Sequence, residues 1–161
     1  MTAMTATREI VAAEPRELVA PSALLGPLAV PRDQVYRFPS GIYGFPDART
    51  FVLLPDDAEG CFWLQSLEHA DLTFLLVDPF RFVPGYVVEF APGTWSDLSA
   101  DAHDLLVLAI VTLPQRKGDP PTLNLQGPLV LDVASRRGRQ VVVETVHGVR
   151  HPIALTTADA P

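Results

Sequence analysis

The chain has 161 residues, a formal net charge of -7 and one cysteine, Cys61. That length suits a single domain with its own buried core. The acidic balance argues against RNA or DNA as a direct partner, because nucleic-acid affinity rests largely on Lys and Arg at phosphates; a lone cysteine leaves no internal disulfide framework and fits a reducing cytoplasm.

Proline occurs 16 times, about twice the usual share. It fixes φ and cannot donate to a ladder, so its abundance favours many short elements over long helices. Glu9, Glu14 and Glu17 interrupt any apolar run near the N-terminus, which does not read as a signal peptide. The longest apolar stretch, residues 105–113, is too short to span a bilayer as a helix. A cytoplasmic protein, away from membranes, is expected.

Residues 1–16 are rich in Ala, Thr and Glu with little periodicity and are expected to be a disordered tail, as are residues 156–161. Between them, residues 17–155 read as one domain of short strands. A weak pair comes first, at residues 18–20 and 28–30. Residues 35–38 run into the turn signal Pro39, Ser40, Gly41. Residues 51–54 stop at Pro55, Asp56, Asp57, and a polar bend at 68–71 separates the runs 62–67 and 72–77. A strand at 86–90 follows Pro84 and Gly85, and the apolar run 105–113 is expected to be buried on both faces. Residues 129–133 and 140–145 flank Arg136, Arg137, Gly138 and Arg139, a hairpin signal with Gly available for positive φ. Helix is expected only near residues 94–102, where Thr94 and Asp97 have capping-box spacing. Strands about every 8–12 residues with turns between them point to a mostly β, barrel-like antiparallel fold with one short helix.

Candidate chemistry is sparse. His147 and His151 stand four apart, but Gly148 and Pro152 argue against a helix that would present both to a metal, and no third ligand is evident. Asp101 and His103 have no Ser or Cys in a nucleophile elbow to serve. Cys61 enters an apolar strand, where a small half-buried hydrophobe is the plain reading, and no neighbouring base is visible to activate it. Asp56, Asp57 and Glu59 lack the spacing of a calcium loop. Arg136, Arg137 and Arg139 read as a solubilising hairpin tip. No phosphate-cradling Gly-rich loop occurs. A non-enzymatic binding protein, without catalytic residues, cofactor or metal, is the reading that remains. A nucleic-acid barrel stacking bases on strand aromatics would need a basic groove that this composition opposes.

Aromatics remain to be placed. Trp63 reads as core. Phe80 and Phe82, two apart on a tight loop around Arg81, share a face in extended chain and suit a groove for an amphipathic helix.

Several segments resemble one family. FPSGIYGF at 38–45, FVLLP at 51–55, FWLQS at 62–66, VDPFRFVPGY at 77–86, LLVLAIVTLP at 105–114 and TLNLQGPLVLD at 122–132 are similar to the flagellar assembly factor FliW. So are the R-x-G-x-Q turn at 136–140 and the closing RHPI at 150–153. Each motif is weak alone; in order and at similar spacing from residue 24 to 155 they are specific. The resemblance implies a small cytoplasmic antiparallel β barrel that is not an enzyme. It implies chaperone-like binding of flagellin before export, and binding and antagonism of CsrA, the RNA-binding repressor of flagellin mRNA translation, with the two partners competing. The chain departs from the family pattern at Tyr43, a position often Pro, and in its longer N-terminal tail. Partner contacts are expected from apolar residues held at turns: Ile42, Tyr43 and Phe45 in one loop, and Asp78, Phe80, Arg81 and Phe82 in another.

Overall fold

The computed structural model describes residues 16–89 and 104–154. The expected helix at 94–102, both expected tails, and Asp101 and His103 lie outside the described residues, apart from Arg16 at the end of the first tail.

Apolar runs cut by Pro, Gly and Asp become short strands. In chain order these are β1 (Glu17–Ala20), β2 (Leu28–Pro31), β3 (Val35–Arg37), β4 (Thr50–Pro55), β5 (Cys61–Ser66) and β6 (Thr73–Val77). A single helical turn, α1 (Pro79–Phe82), follows. Then come β7 (Leu105–Thr112), β8 (Thr122–Leu123), β9 (Leu129–Asp132), β10 (Arg137–Gln140) and β11 (His151–Pro152). A 3-10 turn, Arg32–Gln34, links β2 to β3.

Hydrogen bonding runs in the order β7-β6-β5-β4-β3-β10-β9, and β9 returns to β7, so seven strands close a barrel. Closure removes the open edges that would recruit other chains. The pairings are antiparallel except β3 with β10, which is parallel and joined at one register pair, Arg37 and Arg137. β8 and β11 continue one side of β7, while β1 and β2 form a separate hairpin.

Strand alternation supplies the core. Phe51 and Leu53 of β4 point into the barrel, where Phe38, Leu64, Leu76, Leu108, Leu129 and Leu131 are fully buried. Val52 points the other way and is covered by Ala20 and Val30 of the β1–β2 hairpin. A second layer lies outside the barrel wall. Cys61, Val77 and Ala109 form one cross-strand row, covered by Val83, Tyr86, Leu123, Leu125 and Ile153. The chain therefore buries β4 and the upper ends of β5–β7 on both faces, which explains their near-continuous apolar runs.

Four expectations need correction. Trp63 is half-buried, not core: Leu64 takes the inward position, and the Trp63 indole Nε1 on the opposite face donates to Asp56 Oδ1 at 3.1 Å. Residues 86–89 are not a strand; the Tyr86 hydroxyl donates to the Leu125 carbonyl at 2.8 Å and ties this segment across β8 instead. The β9–β10 turn falls at residues 133–136, before the glycine. Asp132 Oδ1 accepts from the N–H groups of Ala134 (3.0 Å) and Ser135 (3.3 Å), and Arg136 takes φ 59. That places Arg137–Gln140 in the strand and leaves 141–145 as an irregular continuation, still bonded from Val141 N to the Pro128 carbonyl and Val143 N to that of Gln126. Finally, the expected loop at 79–82 is helical. Pro79 at the first helical position and Asp78 Oδ1, accepting from Phe80 N at 3.0 Å, start it.

Candidate protein-binding site

The loop after β3 is built as a clamp. Phe45 N donates to the Ile42 carbonyl at 2.7 Å, and Gly44 at φ 90 turns the corner between them. Gly41 at φ 67 lies so close that a Cβ there would stand 2.7 Å from the Phe45 carbonyl oxygen. Ile42 drops into the barrel core and anchors the turn. It is therefore an anchor of the loop and does not present itself to a partner. Tyr43, 67% exposed, and Phe45, 43% exposed, stand outward. Tyr43 N donates to Gln140 Oε1 at 2.8 Å, while Gln140 Nε2 donates to the Gly127 carbonyl at 2.9 Å. The Phe45 ring stands edge-on to Phe74 at 5.5 Å.

The second loop is fixed by equally specific contacts. Asp78 N donates to the Gly60 carbonyl at 2.8 Å. Arg81 lies over Gly60, where a Cβ would come within 2.8 Å of its Cδ, and pairs with Glu59 at 2.9 Å. Phe80 is 50% exposed, with its ring 5.6 Å from Tyr86. Phe82 is half-buried against the second core cluster.

The two loops lie at opposite ends of the barrel. Thr50 pairs with Arg37, and Gln65 with Thr73, at the Tyr43 end; Pro55 pairs with Phe62, and Cys61 with Val77, at the α1 end. The length of β6, on the order of 13 Å at 3.3 Å per residue, separates them. One small groove cannot use both.

The residues weighed for chemistry mostly have structural roles. Burial, and then the nearby Asp56 carboxylate, push the Cys61 thiol up, outweighing Arg81; a protonated buried thiol is a poor nucleophile. Burial pushes the Tyr86 phenol up to about 12. Asp56 caps its turn through Ala58 N and holds Trp63. Arg136 donates from Nη1 to the Tyr36 hydroxyl at 2.9 Å and lies over its ring. His147 and His151 do meet, edge to face at 4.8 Å, but no cluster of three metal-ligating side chains occurs among the described residues.

A cleft beside α1 had no counterpart among the sequence expectations. It is lined by Gly85, Val87, Glu89, Glu144, Thr145, Val146 and His147. It forms where two segments that were expected to be strands run irregularly and meet, although they are distant in sequence.

A model of the FliW protein family matches residues 20–153. The chain belongs to the FliW family. Among curated relatives, "Flagellar assembly factor FliW" of Exiguobacterium sp. is 35% identical over 136 residues, covering 83% of this chain and 93% of the relative. The protein of the same description from Treponema denticola is 35% identical over 120 residues, covering 74% and 81% respectively. A crystal structure of the flagellar assembly factor FliW superposes with a TM-score of 0.76 at 29% identity, covering 84% of this chain and 96% of that one. The FliW name denotes an assembly factor, not an enzyme class, and no helix among the described residues is long and apolar enough to cross a membrane.

Proposed function

We propose that this FliW-family chain binds flagellin in the cytoplasm in a chaperone-like way, and also binds and antagonises the translational repressor CsrA, relieving repression of flagellin mRNA translation. It acts by holding proteins and catalyses no reaction. One observation carries the reading beyond family membership: a barrel closed by β9 on β7 displays Tyr43, Phe45 and Phe80 on hydrogen-bonded loops at its ends. Exposed aromatics on preorganised loops are the residues that dominate protein–protein affinity. Apolar rings suit the amphipathic helices of flagellin termini. The net charge of -7 suits a repressor basic enough to hold RNA. We assign contact roles to Tyr43, Phe45, Asp78, Phe80, Arg81 and Phe82, with Ile42 fixing its loop from within.

The test is isothermal titration of the purified chain with flagellin and with CsrA from the same cell. A saturable complex with each is expected, and addition of the chain to CsrA-repressed flagellin mRNA restores translation in vitro. Absence of a complex with either protein overturns the reading.

A further inference from the structure

The cleft beside α1 has a definite chemistry. Its volume is about 190 Å³, below the range of roughly 300–1,000 Å³ that drug-sized ligands and cofactors occupy. It has room for one long side chain. Glu89 and Glu144 line it, and neither has an ion-pair partner among the described residues. Arg81, the basic residue of α1, is already matched by Glu59 at 2.9 Å. The acidic lining favours a cation over an anion.

The surroundings are apolar. Val87 is 64% exposed and Val146 99% exposed, both on the cleft wall. The half-exposed Phe80 stands nearby: its ring packs at 5.6 Å on buried Tyr86, which also meets His147 of the cleft at 6.0 Å. Exposed apolar side chains beside carboxylates that lack an ion-pair partner among the described residues suit a surface covered by a partner. The aliphatic stem of Lys or Arg packs on such walls while its head reaches the carboxylates.

We infer that this cleft receives one basic side chain, arginine or lysine, from an amphipathic segment of a partner protein whose apolar side rests on Phe80, Val87 and Val146. The net charge of -7 favours the approach of such a partner. The inference rests on the reading of this chain as a protein-binding module and names the chemistry recognised at its α1 end.

The test uses the full ¹⁵N-labelled chain and small probes. N-acetyl-arginine amide and N-acetyl-lysine amide are titrated against it, with N-acetyl-citrulline amide as the neutral isostere. Saturable amide shifts at Val87, Thr145, Val146 and His147 are expected with at least one of the cationic probes and not with citrulline. The Glu89→Gln/Glu144→Gln variant weakens that binding about tenfold or more, the scale expected when two charge-assisted hydrogen bonds are removed together, with an unchanged thermal melt because both side chains are exposed. Equal shifts with citrulline, undiminished shifts in the variant, or no saturable shift overturn the inference. Flagellin and CsrA are absent from the experiment, so its failure leaves their binding standing, and loss of their complexes leaves the cleft standing.

Discussion

Gly138 lies flat against the ring of Phe38: a Cβ on the glycine would stand 2.3 Å from Phe38 Cζ and 2.6 Å from both Cε atoms. Phe38 is fully buried and packs edge-on to Phe51 at 5.2 Å, so its ring has nowhere to go. Gly138→Ala is expected to destabilise the fold by about 3 kcal/mol, at the upper end of the overpacking range. Thermal and denaturant melts read the loss directly. A melt unchanged from the parent chain would show that β10 can shift away from the ring.

Phe80 and Phe82 share one helical turn yet face different surroundings, so alanine separates binding from folding. Phe80→Ala removes a half-exposed ring and is expected to leave stability within about 0.5 kcal/mol. Its effect falls on partner affinity, by about tenfold or more at the α1 end. Phe82→Ala opens the second core cluster and costs about 2 kcal/mol, below the fully buried range because the ring is only half-buried. Paired melts and titrations with flagellin and CsrA distinguish them; a large stability loss in Phe80→Ala contradicts its placement.

Gln140 holds the Tyr43 loop through one bond to Tyr43 N and another to the Gly127 carbonyl. Gln140→Ala leaves that N–H and that carbonyl without their side-chain partner, and is expected to cost about 1–3 kcal/mol. It should also weaken any complex formed at the Tyr43 end while sparing one formed at the α1 end. If both complexes weaken equally, the two ends do not act separately.

Tyr86 predicts an alkaline dependence. Burial raises its phenol to about 12 in the folded chain, above the unfolded value near 10. The unfolded state loses its proton first, so stability is whole below pH of about 10 and declines as pH rises toward about 12. Tyr86→Phe removes this contribution and also the hydroxyl bond to the Leu125 carbonyl, at about 1 kcal/mol near neutral pH. Chemical melts across that pH range should therefore show a smaller alkaline loss in the variant than in the parent; identical slopes refute the assignment.

Much of the barrel was legible because its code is local. Interrupted apolar runs at β4, β5 and β6 carry both their period and their turns, and the structure follows them to within a residue or two. The short strands β8 and β11 were not legible, since two residues carry no periodicity and these exist only because Leu123 and His151 meet beside β7. The β9–β10 turn was misplaced because Gly138 looked like a turn glycine. Its real constraint is the Phe38 ring, a contact that spans the chain. At the candidate site, the exposure of Tyr43, Phe45 and Phe80 agreed with their position beside turns. Ile42 did not, because its inward direction follows from the Gly41 and Gly44 corners rather than from its neighbours in sequence.

By itself, then, the amino-acid order determined an acidic, mostly β fold of short strands, its FliW family, and the turns where its aromatics stand, because alternation and turn chemistry act over a few residues. The tertiary structure alone decided that β9 closes onto β7 and β3 onto β10. It also decided that Trp63 faces outward, that the two aromatic loops occupy opposite ends, and that residues 85–89 and 144–147 meet around an acidic cleft. Those outcomes depend on strand register and on which face receives a second layer, and both are set by contacts between segments far apart along the chain.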